Sequence, residues 1–191
     1  MVDRVSIVVI ALALLGGAAT PVATAVLYDL EGRAVDPVAD ETASLTVFLF
    51  TRTDCPLSNR YAPEVRRLHE RFAPRGVRFW LVYPDPRATA DSIRAHLTEY
   101  DYPMTGLRDP QHDLVRSTGA RVTPEAAVFA RGRGLVYHGR IDDRFPGFGQ
   151  ARAEPSSRDL EATLDGLLEG RDPATPVTEA VGCYLSDIAP D

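Results

Sequence analysis

The sequence predicts an α/β layer fold, in which a mixed central sheet carries helices on both faces. Segments with strand and helix patterns alternate along the chain, without a repeat or low-complexity tract. Two apolar runs, residues 44–50 and 77–83, have the length and continuity of buried strands, and an amphipathic segment joins them. With 191 residues, of which 45% are hydrophobic, the chain suits one domain around a single core.

Each element is predicted from its local pattern. An opening hairpin turns at Glu31-Gly32, and the buried strand 44–50 follows it. From Pro56 to Phe72 the apolar residues recur at steps of three or four, which predicts one helix. After the strand 77–83, we expect a helix near 89–100, a short segment at 104–107, a helical turn at 111–118, a hairpin around 131–133 and a helix over 157–168 capped by Ser156.

The first 25 residues have the order of a secretory signal peptide. Arg4 precedes an apolar run, and small residues follow that end in Ala23-Thr24-Ala25. The run, at about 11 residues, is too short to cross a bilayer as a helix. We therefore predict cleavage near Ala25 and export to the periplasm or outside the cell, with no membrane span in the mature chain. An uncleaved anchor is the alternative.

Charge and composition exclude several classes of function. A formal net charge of −6 argues against a nucleic-acid partner. All 21 basic residues are arginine, which excludes a phosphate-loop lysine and a Schiff base. The histidines lack metal-ligand spacing, so we expect no metal or other cofactor and a surface position for each of them: His69, His96, His112 and His138.

The chemistry is predicted at Cys55, where the central strand meets the first helix. Pro56 suits the first helical turn, so Cys55 lies where unpaired backbone N–H groups and the helix dipole stabilise a thiolate. We expect the pKa of Cys55 to lie below the ordinary thiol value, although the adjacent Asp54 opposes this shift. A buried, inert cysteine is the alternative.

Several motifs in the same order resemble the thioredoxin superfamily. TDCPLSN follows an apolar strand, Pro63 lies inside the next helix, and Val122-Thr123-Pro124 precedes the strand AAVF. The resemblance implies a thioredoxin-like three-layer sandwich over about residues 26–170, a helix kink at Pro63 and a cis-proline at Pro124 that faces Cys55. The sequence TPEAAVFARGRGLVYHGRIDD is most similar to the exported redoxin branch, which holds thiol-disulfide reductases and relatives of the alkyl hydroperoxide reductase family.

The resemblance implies thiol-disulfide exchange at Cys55, with a substrate docked along Thr123, Pro124 and Pro56. Its partners would be a protein disulfide or thiol, or an external thiol reductant. The chain departs from the family in its Cys-x-x-Ser motif, which lacks the second thiol that normally resolves a mixed disulfide. Ser58 at best donates a hydrogen bond to the Cys55 thiolate.

Two other functions stay open. The peroxidase branch normally has a threonine three residues before its cysteine and a proline seven before, where this chain has Arg52 and Phe48. Arg52 could still stabilise a thiolate, so a thiol peroxidase is one alternative. The other is a non-catalytic binding or metal-delivery domain, with copper held by Cys55, Cys183 and His138.

Cys183 lies in a tail, residues 171–191, that follows the last predicted helix. It is the one internal thiol that could resolve a disulfide on Cys55, and Gly182 permits close approach. The two cysteines form either a redox pair, which we favour, or a static staple that could contribute up to about 5 kcal/mol.

Two segments before the tail are also interpreted from their sequence. Asp142 and Asp143 are expected in a solvated turn. The aromatic loop 145–149 is either a docking loop or a cluster beneath the tail.

Overall fold

A computed structural model describes residues 25–39 and 42–189, so the predicted signal segment lies outside the described residues except for Ala25. The strands are β1 (Leu27–Tyr28), β2 (Ala34–Val35), β3 (Leu45–Phe50), β4 (Val77–Tyr83), β5 (Gly106–Arg108), β6 (Val122–Thr123), β7 (Glu125–Ala130), β8 (Gly134–Gly139) and β9 (Cys183–Tyr184). The helices are α1 (Pro56–Arg60), α2 (Ala62–Phe72), α3 (Ala90–Glu99), α4 (Asp113–Thr118) and α5 (Asp159–Leu168), with 3-10 turns at Ala73–Arg75 and Leu185–Ile188.

The central sheet has the order β2-β1-β5-β4-β3-β7-β8. β3 is parallel to β4, and β4 is parallel to β5, whereas β7 runs antiparallel to β3 and β8 antiparallel to β7. The parallel strands arise because helices connect them, while a tight turn joins β7 to β8. The predicted mixed sheet is confirmed.

The two faces of this sheet carry two separate apolar clusters. Val47 and Leu49 of β3 face the cluster that α2, α3 and α5 complete. Phe48 and Phe50 face the opposite cluster, which α4 and the turn Leu185–Ile188 complete. Successive side chains of a strand point to opposite faces, so a strand that is buried on both sides must be apolar throughout. This explains the continuous run in β3 and confirms the layers predicted from it.

The predicted helix 56–72 is divided into α1 and α2 at Tyr61. Pro63 has no N–H to donate to the carbonyl of Asn59, so a regular helix cannot continue through it. The Tyr61 N–H is shared between the carbonyls of Leu57, at 3.2 Å, and Ser58, at 3.0 Å, which closes α1 with a tighter last turn. The helix is therefore interrupted at Tyr61, two residues before the proline.

The predicted cap of the last helix is wrong. α5 begins at Asp159 after Arg158, and the cap residue makes no side-chain hydrogen bond. The N–H groups of Ser156 and Ser157 donate instead to Oδ1 of Asp143, at 2.6 and 2.9 Å. This carboxylate from the preceding loop competes with the local capping pattern, and the helix starts later.

The tail crosses the edge of the sheet at β8 and then packs on the face that carries the second apolar cluster. The Thr178 N–H donates to the His138 carbonyl at 3.1 Å, beside the outer strand β8. β9 then pairs antiparallel with β6, outside the main sheet. Leu185 and Ile188 are buried in the second cluster at 2% and 4% exposure. Two side chains of the tail therefore complete the second apolar cluster in the disulfide-bonded state.

Within the two described ranges, no helix combines the length and the apolar character that a membrane crossing requires.

Candidate redox site

A disulfide joins Cys55 to Cys183 across the groove between α1 and β6, with their Cα atoms 6.2 Å apart. Cys55 is fully buried, whereas Cys183 is half-buried. In the β6–β9 ladder Cys183 lies opposite Thr123, and the Thr123 carbonyl oxygen is 3.1 Å from Cys55 Sγ. The strand pairing thus places the second sulfur directly over the first.

Cys55 occupies the N-cap position of α1, with extended backbone angles, and Pro56 begins the helix. The Asn59 N–H donates to the Cys55 carbonyl at 3.1 Å. The N–H groups of the first helical turn have no partner within the helix, so they are available to an anion at this end. This is the arrangement for which the sequence predicts a reactive thiol.

The loop facing Cys55 contains the predicted cis peptide bond, between Thr123 and Pro124. Glu125 directly follows it and is buried, with 4% of its surface exposed. Its Oε2 accepts from the N–H of Arg121 at 2.9 Å and from that of Val122 at 3.2 Å. Glu125 follows the proline and binds the backbone that precedes it, so it fixes the shape of this loop. The sequence analysis did not single out Glu125, although an acidic residue directly before an apolar strand could have indicated a buried carboxylate.

Ser58 lies one turn along α1 from Cys55 and is buried. Its Oγ has no hydrogen-bond partner among the described residues. Side chains three residues apart share a helix face, so this hydroxyl is placed on the same side as the disulfide. A buried hydroxyl without an acceptor is available to donate to a thiolate when the disulfide is reduced.

Arg52 is engaged by the acidic residue that precedes the cysteine. Its Nε and Nη2 donate to the two carboxylate oxygens of Asp54, at 3.0 and 2.9 Å. Such a bidentate pair uses the directional donors of the guanidinium group. The positive charge next to Cys55 is thus largely compensated by a neighbouring negative charge.

A partly buried chain of hydrogen bonds supports the loop before Cys55. Asn59 Nδ2 donates to the Thr53 carbonyl at 3.3 Å, which leaves Asn59 Oδ1 to accept from His96 Nε2 at 2.9 Å. His96 Nδ1 then accepts from the Tyr83 hydroxyl, also at 2.9 Å. This order requires a neutral imidazole, and burial lowers the pKa of His96 accordingly.

The expectation that every histidine lies at the surface is wrong for two of them. His96 and His112 are buried, at 3% and 5% exposure. His112 Nε2 lies 3.0 Å from the Pro84 carbonyl oxygen, and His96 joins the chain just described. A polar side chain can be buried when tertiary structure supplies its partners, and the local pattern does not contain those partners.

His138, the third member of the hypothetical copper site, faces a carboxylate. Its Nδ1 lies 3.4 Å from Glu125 Oε1, while the two cysteines are bonded to each other. In the part of the chain that the structure describes, no group of three or more His, Cys, Asp or Glu side chains forms a metal site.

The solvated turn predicted at Asp142 is wrong. Asp142 is 3% exposed, and its Oδ1 accepts from the Tyr61 hydroxyl at 2.6 Å. Burial raises the pKa of Asp142. In the following loop, Phe145 packs on Tyr61, whereas Phe148 is 63% exposed, with its ring centroid 6.4 Å from that of Tyr184 in the tail.

Comparison with known proteins gives a family and a fold. A sequence model described as AhpC/TSA family matches residues 12–138. A crystal structure of a hypothetical protein from Sinorhizobium meliloti 1021 is 25% identical, with a TM-score of 0.72, over 84% of this chain and 88% of that chain. An uncharacterized conserved protein from Geobacillus kaustophilus is 25% identical, with a TM-score of 0.73, over 87% of this chain and 88% of that chain.

A more distant structure is that of a secreted Mycobacterium tuberculosis disulfide oxidoreductase homologous to E. coli DsbE. It is 16% identical, with a TM-score of 0.50, over 77% of this chain and 96% of that chain. No curated protein sequence gives a significant match. The likenesses to solved structures confirm the thioredoxin-like fold.

Replacing His96 with glutamine should flatten the pH dependence of stability. The folded chain holds His96 neutral, while the unfolded chain takes up a proton near the ordinary histidine pKa of about 6.5, so stability falls as the pH drops below that value. Denaturation of the wild type between about pH 7 and pH 5 should show a slope steeper than that of His96→Gln by up to about 1.4 kcal/mol per pH unit.

The pKa values of His69 and His112 are also lowered by burial, and both residues remain in the two proteins compared. The difference between the slopes therefore reports on His96. Equal slopes would contradict the buried neutral imidazole.

Replacing Gly182 with alanine should weaken the Cys55–Cys183 disulfide. An added Cβ would overlap the Thr123 carbonyl oxygen and lie 2.6 Å from the carbonyl carbon, so β9 could not stay paired with β6. Loss of this short ladder, at about 1 kcal/mol net for each backbone hydrogen bond, predicts a roughly ten- to thirtyfold smaller equilibrium constant for the disulfide against a soluble dithiol. Titration with the dithiol, followed by thiol alkylation and mass spectrometry, measures this constant.

The matched control is Gly166→Ala in α5, where the added Cβ would have an ordinary contact at 3.7 Å. If both variants match the wild type, close packing at Gly182 does not support the disulfide.

Proposed function

The chain belongs to the AhpC/TSA family, and we propose that it is a thiol-disulfide oxidoreductase whose Cys55 and Cys183 cycle between dithiol and disulfide. The observation that carries this proposal is the Cys55–Cys183 bond itself, in the groove beside Thr123 and Pro124. The name of the secreted M. tuberculosis relative, a disulfide oxidoreductase, agrees with it.

In the reductive step, the Cys55 thiolate attacks one sulfur of a substrate disulfide. A bond forms between Cys55 and that sulfur, the substrate bond breaks, and the second substrate sulfur leaves as a thiolate that takes up a proton. The position of Cys55 at the start of α1 supports its role as attacking thiolate, and the Ser58 hydroxyl supplies a donor from the same helix face.

Cys183 then performs the role that a second thiol in the helix has in ordinary thioredoxins. Its thiolate attacks Cys55 Sγ, the Cys55–Cys183 bond forms, and the remaining substrate sulfur leaves as a thiol. The pair has then lost two electrons and the substrate has gained them. The register of β9 on β6 supports this step, because it sets Cys183 against the residue whose carbonyl contacts Cys55 Sγ.

Regeneration requires an external thiol, and the two sulfurs differ in their access to it. Cys55 is fully buried in the disulfide state, while Cys183 is half-buried. The reductant therefore attacks Cys183, and Cys55 leaves as the thiolate at the helix N-terminus. A second attack by a thiol of the reductant frees Cys183 and completes the two-electron reduction.

A redox pair fits the surroundings better than a static staple. β9 is only two residues long, and its pairing with β6 is separate from the main sheet. A two-residue ladder outside the main sheet opens at low cost compared with the core strands. The Ser58 hydroxyl, which is buried without a partner one helical turn from Cys55, is a donor that a thiolate could use.

We further propose export of the mature chain after removal of the first 25 residues. The signal pattern that ends at Ala25 supports it, and the M. tuberculosis relative is described as secreted. A pair of cysteines that forms a disulfide also suits an oxidising compartment.

Replacing Cys183 with serine should stop the cycle at the mixed disulfide. Reduced wild-type protein, mixed with a fluorescent peptide homodimer joined by one disulfide, should release both peptide thiols and end with the Cys55–Cys183 bond. Cys183→Ser should release one thiol and keep the other peptide on Cys55, because no internal thiol can attack it. Gel fluorescence without reductant and peptide mapping measure the adduct.

Cys55→Ser is the matched control, because it keeps Cys183 and should form less than about a tenth of the adduct. Adducts that map mainly to Cys183 would refute the assigned roles. If hydrogen peroxide oxidises the reduced wild type much faster than the peptide disulfide does, a thiol peroxidase becomes the better description.

Expression of the full chain in a bacterium should yield a periplasmic protein that begins at Val26. Small side chains at Ala23 and Ala25 are what signal cleavage requires, so a double replacement by leucine should leave the leader uncleaved. Fractionation and intact-mass measurement test both statements. Unprocessed wild-type protein in the cytoplasm would contradict export.

A further inference from the structure

The groove that holds β9 has a chemical pattern of its own. Residues 121–123 present an extended backbone edge next to Pro124, and this edge is paired with the tail: Thr123 lies opposite Cys183, Val122 opposite Tyr184, and the Leu185 N–H donates to the Arg121 carbonyl at 2.9 Å. The edge thus binds a strand that runs antiparallel to it, with a cysteine at the level of Thr123.

The position before the cysteine admits only glycine. At Gly182 a Cβ would overlap the Thr123 carbonyl oxygen and would lie 3.1 Å from the Thr123 nitrogen. The obstacle is backbone, so no side-chain rotation relieves it.

The position two residues after the cysteine requires an apolar side chain. Leu185 is 2% exposed and belongs to the cluster that includes Phe48, Val115 and Ala120. A polar side chain here would lose its hydration without finding a partner. The intervening Tyr184 is 54% exposed and approaches the exposed Phe148, so this position is open to solvent.

From these contacts we propose that the exchange partner is an extended protein segment with the pattern glycine, cysteine, any residue, large aliphatic residue. This inference rests on the proposed function. It adds that the partner segment takes the place of β9 on the edge 121–123, and that the tail displaces the partner when Cys183 re-enters to attack Cys55.

The test uses full-length Cys183→Ser protein, in which Cys55 is the single thiol. The probe is a peptide with the sequence of residues 180–188, Ala-Val-Gly-Cys-Tyr-Leu-Ser-Asp-Ile, whose cysteine is disulfide-bonded to thionitrobenzoate. The Cys55 thiolate attacks the peptide sulfur, the Cys55–peptide bond forms, and thionitrobenzoate leaves as a coloured thiolate. Absorbance therefore follows each exchange directly.

Three altered peptides read the three positions: glycine to alanine, leucine to serine, and tyrosine to serine. The alanine and serine-for-leucine peptides should react roughly tenfold more slowly at low peptide concentration. The alanine peptide cannot approach the Thr123 backbone closely, and the serine-for-leucine peptide lacks the buried apolar contact. The tyrosine peptide should stay within about threefold of the parent, since that side chain is exposed. The tail of the variant competes equally with all four peptides, so the ratios do not depend on it.

Free 5,5′-dithiobis(2-nitrobenzoate) separates this inference from the proposed function. If all four peptides react alike while the small disulfide still reacts with Cys55, the pattern is refuted and exchange at Cys55 stands. If Cys55 reacts with no disulfide, both proposals fail. Turnover of the same peptides by reduced wild-type protein should show the same order, which provides the measurement if Cys183→Ser folds poorly.

Discussion

The pairing of β9 with β6 is the constraint on which this site depends. Two residues of the tail lie against two residues before Pro124, and this short ladder brings together cysteines that are 128 residues apart. It also decides what is accessible: Cys55 is covered, Cys183 is half-buried, and the backbone edge next to Pro124 is occupied. In the proposed cycle, β9 therefore leaves this backbone edge when a partner segment binds, and returns to it when the disulfide re-forms.

The tail combines this role with a structural one. Leu185 and Ile188 complete the second apolar face of the sheet, and Thr178 is bound to β8 before the chain reaches the cysteine. The segment from Val181 to Tyr184 is thus held on both sides. When the disulfide is open and a partner segment occupies the edge, the attachment at Thr178 would keep Cys183 near Cys55 at a high effective concentration. Resolution by this distant thiol can then replace the local second cysteine that the Cys-x-x-Ser motif lacks.

The side chains behind the site are polar, mostly buried and hydrogen-bonded. Glu125 binds the two N–H groups before the cis bond, while Asn59, His96 and Tyr83 support the loop before Cys55. Such polar groups favour one arrangement, because a group that moves loses its hydrogen bond and finds no replacement partner in the low-dielectric interior. They hold α1 and β6 in position, so the tail is the element best able to move.

The sequence by itself determined the layers of the fold and the position of Cys55 at a helix start. The runs in β3 and β4, and the α2 stripe of Val65, Leu68 and Phe72, are local signals of burial, and local geometry also places Cys55 at a helix start. Only the tertiary structure decided the pairing with Cys183, the burial of His96 and Asp142, and the late start of α5. In each of those cases the partner is distant in the chain, and the pattern around one residue carries no information about which distant group will reach it.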